Sequence, residues 1–186
     1  MTRDAARGRS SADQGPVDGP EAEAVARAVV LRLLAAAPRS RQQLAEALAR
    51  RDVPQATADA VLDRFTEVGL IDDGEYARML VRSKHESRGL ARRGLAAELR
   101  RRGVGEHDAQ TALDELDPED EAATARRLLD KRWESLRGVA PEVRARRVMG
   151  TLGRKGYPPG LVARLVRERM DADGHEPWDS GVADVE

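Results

Sequence analysis

Apolar residues recur along this chain at i, i+3, i+4 and i+7, the spacing that lines one face of an α-helix. Ala58, Val61, Leu62 and Phe65 make one such stripe. It returns 51 residues later as Ala109, Ala112, Leu113 and Leu116, and 53 further on as Val162, Leu165 and Val166, with Arg169 breaking the fourth place. A shorter helix precedes each copy and carries an i, i+4 pair: Leu44 and Leu48, Leu95 and Leu99, Val148 and Leu152. A third helix comes before that, with Ala26, Val29 and Val30, then Ala77, Leu80 and Val81, then Ala125, Leu128 and Leu129. The unit is therefore three helices in about 50 residues, written three times. The first-helix stripe recurs after only 48 residues in the last copy, against 53 for the others, which places about five extra residues near Arg137-Gly138. Insertions belong in loops, which supports the register.

The helix ends agree with this division. Each i, i+4 pair runs into the same kind of stop, Arg51-Asp52-Val53, Arg102-Gly103-Val104 and Lys155-Gly156-Tyr157. A basic, a turn-tolerant and an apolar residue in that order suit a helix C-terminus. Ser40 with Gln43 predicts a capping box, and so does Asp72 with Glu75, where Ile71 and Tyr76 take the staple positions. Asp117 before Pro118 predicts a cap followed by proline in the first turn.

The expected fold is all-α: three tandem three-helix repeats, stacked because each alone buries little surface, in an elongated, curved array. The divisions fall at 1–20, an N-terminal extension expected to be disordered; 21–70, 71–116 and 117–170, the repeats; and 171–186, a disordered acidic tail.

Composition fits helices. Of 186 residues 35% are charged and only 3% aromatic, which argues against an aromatic-rich β-sandwich. With no cysteine there is no disulfide framework, thiolate metal site or cysteine nucleophile, and the cytoplasm is the expected compartment. The first twenty residues hold no apolar leader segment, and no stretch is apolar enough for a membrane span. Net charge is -1, but it is unevenly spread. Arg88–Arg102 holds six arginines against Glu98, Glu106–Glu121 holds eight acids and no Lys or Arg, 142–169 is basic by eight to two, and six acids follow from Asp171. Such blocks are either solvated helix faces or a side that meets a polyanion.

Little in the chain suggests catalysis. His85, His107 and His175 are scattered without a supporting carboxylate pattern and read as surface residues. Asp171-Ala172-Asp173-Gly174 lacks the remaining ligands of a calcium loop. Gly150-Thr151-Leu152-Gly153-Arg154-Lys155 lacks the spacing and the preceding strand of a nucleotide-phosphate loop. Gly150 and Gly153 instead point to close helix packing at that place. Tyr76 and Trp133 sit at core spacing. No metal, cofactor or enzymatic activity is expected.

The arginines obey the repeat. At 100° per residue, Arg93, Arg100 and Arg101 lie away from Leu95 and Leu99; Arg146 and Arg154 hold the places equivalent to Arg93 and Arg101, and Arg50 the matching place in the first unit. Arg50, Arg101 and Arg154 would form a periodic row able to follow phosphates or an acidic groove. Cations in a last helical turn also complement the macrodipole, so both descriptions hold for these three. Arg93 and Arg146 stand near helix starts, where the dipole opposes them. With their neighbours Arg92, Arg147 and Lys155 they complete the candidate partner- or DNA-binding set: Arg50, Arg92, Arg93, Arg100, Arg101, Arg146, Arg147, Arg154 and Lys155.

Pro38-Arg39-Ser40-Arg41-Gln42-Gln43-Leu44 and Gly69-Leu70-Ile71-Asp72-Asp73-Gly74-Glu75-Tyr76-Ala77 resemble the RecX family of bacterial RecA regulators. Gly89-Leu90, Leu99-Arg100-Arg101-Arg102-Gly103-Val104 and Gly153-Arg154-Lys155-Gly156-Tyr157 match later markers of that family, and together these cover about residues 22 to 170. Two places depart from it: Tyr76, where Phe is frequent, and Met149-Gly150, where a Phe-Leu pair is common. The resemblance implies a monomeric, non-enzymatic protein that lies in the groove of the RecA filament on single-stranded DNA. It would restrain filament growth and lower ATPase, strand-exchange and co-protease activity. Direct nucleic-acid contact is a further expectation. The alternatives are a helix-turn-helix DNA-binding module, against which stand the near-zero net charge and the lack of a clustered recognition helix, and a helical scaffold for another protein.

Overall fold

The computed structural model describes residues 19–174. The expected disorder of residues 1–18 and 175–186 lies outside the described residues, as does His175. Nine α-helices and no strand occur among the described residues: α1 Pro20–Ala36, α2 Arg41–Ala49, α3 Gln55–Glu67, α4 Asp73–Arg88, α5 Arg92–Arg101, α6 Glu106–Asp114, α7 Pro118–Glu134, α8 Pro141–Arg154 and α9 Pro159–Ala172. They fall into two compact units that divide between Asp72 and Asp73. The first holds α1–α3; the second holds α4–α6 together with α7–α9.

Local chemistry sets the boundaries. The Ser40 hydroxyl accepts from the Gln43 amide at 3.2 Å while Gln43 Oε1 accepts from the Ser40 amide at 3.3 Å, closing the capping box at the start of α2. Asp117 Oδ1 accepts from the Glu119 amide at 2.8 Å, with Pro118 in the first turn of α7. The three basic-turn-apolar stops share one geometry. Asp52, Gly103 and Gly156 take φ of 57°, 72° and 93°, and the following amides of Val53, Val104 and Tyr157 donate to the carbonyls of Leu48, Leu99 and Leu152 at 3.3, 3.2 and 3.3 Å. The carbonyl capped in each case belongs to the second residue of the i, i+4 pair, so one short string both ends the helix and pins its core residue.

Each repeat builds a core chiefly from its own three helices. Val30, Leu44, Leu48, Leu62 and Phe65 pack together in the first; Tyr76, Leu80, Leu95, Leu99 and Leu113 in the second; Leu129, Trp133, Val148, Leu152, Tyr157 and Val166 in the third. Tyr76 and Trp133 are buried, as their spacing predicts. Met149 packs at the rim of the third core, so the departure at Met149-Gly150 leaves that core filled. The extra residues of the last repeat form the α7–α8 loop, 135–140, held by the Arg144 guanidinium, which donates to the Leu136 and Arg137 carbonyls and lies 4.8 Å over the Trp133 ring.

Three readings are corrected. His85 is buried: its Nδ1 donates to the Leu90 carbonyl at 2.9 Å and its Nε2 lies 3.1 Å from the Thr124 hydroxyl, across to the third repeat. Close packing does not occur at Gly150 or Gly153. A Cβ on Gly153 would meet nothing, and one on Gly150 only the far end of Arg154. Asp171 and Ala172, placed in the acidic tail, belong to α9, and Asp173 accepts from Trp133 Nε1 at 2.7 Å.

Candidate partner-binding surface

The second and third repeats meet through backbone. Gly94, in the first turn of α5, lies so close to Lys155 and Gly156 after α8 that a Cβ on Gly94 would collide with the Lys155 carbonyl, and one on Gly156 with the Gly94 amide nitrogen. The Ala91 amide donates to the Lys155 carbonyl at 2.9 Å, and Ala91 is buried within the third core. The Tyr157 hydroxyl donates to the Gly89 carbonyl at 3.2 Å. Burial first, and Glu121 second, push that phenol up to about 12 from its ordinary value of 10.0, with Arg127 working in the other direction.

Two of the candidate cations are engaged at this junction. The Arg92 amide donates to Glu121 Oε1 at 2.7 Å, and its guanidinium reaches Asp114 at 3.1 Å and the Leu116 carbonyl at 3.0 Å. The Lys155 amine donates to the Arg88 carbonyl. The Lys155 amine and the Arg92 backbone amide join the repeats, whereas the Arg92 guanidinium ties α5 to the end of α6 within the second repeat, and sequence spacing alone reveals neither contact.

The other candidates are exposed, and all but Arg50 lie on the faces of α5 and α8 turned away from Leu95 and Leu99 and from Val148 and Leu152. Arg101 pairs with the buried carboxylate of Glu98, which Arg102 also engages at 2.9 Å. Arg154 reaches only the Thr151 hydroxyl, at 3.5 Å. Arg50, ending α2 in the first unit, lies 3.9 Å from Glu46. Arg93, Arg100, Arg146 and Arg147 make no ion pair among the described residues. These four, together with Arg154, whose partner is a neutral hydroxyl, carry the least compensated charge of the set.

A cleft missed by the repeat argument opens beside the junction, lined by Arg88, Arg127, Lys131 and Lys155 with Glu86, over Leu90 and Leu128. Arg127 and Lys131, one helical turn apart on α7, were its sequence signal. Among the described residues no group of three His, Asp or Glu side chains is placed to hold a metal ion, and no helix is long and apolar enough to cross a membrane.

Three family profiles match along the chain, in order: the first three-helix domain of RecX at residues 26–65, the second at 72–113 and the third at 119–166. The chain is 52% identical over 172 residues to the regulatory protein RecX of Thermobifida fusca (strain YX), covering 92% of this chain and 93% of that relative. This chain belongs to the RecX family. The RecX of Streptomyces coelicolor is 48% identical over 151 residues, covering 81% of this chain and 80% of that protein. A crystal structure of regulatory protein RecX superposes with a TM-score of 0.73 at 26% identity, over 78% of this chain and 73% of the other. RecX from Lactobacillus salivarius gives the same TM-score at 16% identity over 81% and 97%, a likeness of fold. RecX proteins are named as regulators, and RecA regulation follows from the family.

Proposed function

We propose that this RecX-family chain is a negative regulator of RecA that binds in the groove of the RecA filament on single-stranded DNA. There it holds back filament extension, ATP hydrolysis, strand exchange and co-protease activity, acting as a cytoplasmic monomer without chemistry of its own. The observation that carries this reading is the set of uncompensated arginines on the outer faces of α5 and α8, Arg93, Arg100, Arg146 and Arg147, on a family-defined scaffold whose apolar stripes are already buried. Arginine in this state pairs readily with carboxylates of a protein groove, at little desolvation cost before contact.

The test is RecA ATPase on single-stranded DNA, titrated with wild type and with a variant in which Arg93, Arg100, Arg146 and Arg147 are all changed to Glu. The variant is expected to keep its helicity and to need at least about tenfold more protein for half inhibition, since reversed charges repel where the originals paired. Inhibition at the wild-type concentration would remove these residues from the mechanism. Sequence-selective duplex binding with no effect on RecA would instead support a helix-turn-helix role.

A further inference from the structure

The arginines of α8 and α9 divide by whether the fold neutralises them. Arg144 lies 3.7 Å from Asp173, Arg164 3.9 Å from Glu168, and Arg169 within 3.2 Å of Asp130, Glu134 and Asp173. Arg146, Arg147 and Arg167 are exposed and make no ion pair among the described residues. None of the three stands in a last helical turn, whose basic residue is Arg154 in α8 and Arg169 in α9, so the helix dipole accounts for none of them. All three lie close in sequence to the point where α9 ends. The Arg144 guanidinium meets Asp173, and Arg146 and Arg147 follow Arg144 within one turn of α8. Arg167 precedes Gly174 by seven residues, two turns back on the same stripe of α9.

Gly174, at φ 71°, turns the chain out of the axis of α9. Residues 175–186, outside the described residues, carry Glu176, Asp179, Asp184 and Glu186 with no Lys or Arg. A segment of that length spans at most about 40 Å when extended, roughly twice the ~21 Å of α8, so each of the three arginines is within its reach. Trp178 stands among the acids, and an indole face takes a guanidinium, as the Trp133 ring does for Arg144 at 4.8 Å. We propose that this C-terminal segment folds back over α8 and α9 and pairs its carboxylates with Arg146, Arg147 and Arg167. A single exposed ion pair is weak, but a short tether keeps these acids at about millimolar effective concentration, an advantage that a separate acidic protein lacks. Arg146 and Arg147 also belong to the set put forward for RecA regulation. The docking is a property of the free chain and is measured without RecA, so its failure is distinguishable from failure of that reading.

The chain has no cysteine, so Ser180→Cys gives a single place for a nitroxide label, and the probe is its paramagnetic broadening of backbone amides in the full chain. Raising salt from about 0.01 to about 1 M cuts the Debye length from about 30 to about 3 Å, and relaxation enhancement at Arg146, Arg147 and Arg167 is expected to fall at least about threefold. Neutralising the segment with Glu176→Gln, Asp179→Asn, Asp184→Asn and Glu186→Gln should give the same fall at low salt. Changing Arg146, Arg147 and Arg167 together to Gln should do likewise, read at the neighbouring amides of Val148 and Val166. Arg93 and Arg100 also make no ion pair among the described residues, but they belong to α5, whose first turn meets the opposite end of α8 at Lys155. Changing both to Gln should alter nothing. Enhancement that ignores salt and the charges of the segment would overturn the docking. An equal loss in the α5 variant would overturn it too, by showing a diffuse attraction to any cation. Enhancement confined to the last turn of α9 would do the same and leave the arginines open to an outside acidic partner.

Discussion

Tyr157 occupies the place that Val53 and Val104 hold in the earlier repeats, and its added hydroxyl turns a core-filling residue into a cross-repeat tie. The phenol is harder to ionise in the folded chain than in the unfolded one, so its contribution is complete below pH 10 and is lost as pH rises from about 10 to about 12. Tyr157→Phe is expected to cost about 1 kcal/mol at pH 8, the net worth of one buried hydrogen bond, and to remove about 1.4 kcal/mol of the stability lost between pH 8 and 11. Urea titrations of both proteins between pH 8 and 11 check this; parallel curves would show that the hydroxyl is not buried as described. Arg169 is the opposite case. It takes the position of Phe65 and Leu116, and burial works against its charge, yet Asp173, Asp130 and Glu134 outweigh that and raise its pKa above the ordinary value. Arg169→Leu would restore the apolar stripe and leave three carboxylates together. We expect it to lower stability by about 1 kcal/mol, a modest figure because the partners are half exposed, as read by thermal unfolding. The stripe shows Arg169 as an interruption. Its partners on α7 lie some forty residues away, and no spacing rule connects them.

Helix limits were the most legible feature because they depend on neighbours in sequence: the Ser40 box, the Asp117 cap and the three positive-φ stops each lie within a few residues. Glycine use inside helices was not legible, because glycine marks either a tight contact or nothing. Gly94 and Gly153 separate the two meanings. Both are helical, so alanine should gain about 1 kcal/mol from propensity at each. At Gly153 the space is open, and Gly153→Ala is expected to stabilise by roughly 0.5–1 kcal/mol. At Gly94 the new methyl meets the backbone of Lys155, which cannot swing aside as a side chain would. Gly94→Ala is therefore expected to destabilise by about 2 kcal/mol or more despite the helix gain. Chemical denaturation of the two variants decides it, and stabilisation by both would mean that the repeats do not touch at this point.

Periodicity revealed three repeats, and the family matches agree; it did not reveal that the second and third form one compact unit. Repeats made from the same pattern look equally independent until backbone contacts are known. Hydrogen exchange on the full chain should show the most protected amides of α4–α6 and of α7–α9 opening with a common free energy. In Gly94→Ala the two sets are expected to separate, and equal values in the variant would count against the junction as the coupling element.

Ala91 lies in the chain of one repeat and in the core of the next. A domain exchange between relatives would therefore be governed by where the seam is cut. A hybrid joined at 116/117 pairs a foreign third bundle with a plug shaped for another socket, whereas one joined at 72/73 carries plug and socket together. Recombination in evolution should have met the same restriction, so that the last two bundles descend as an inherited pair.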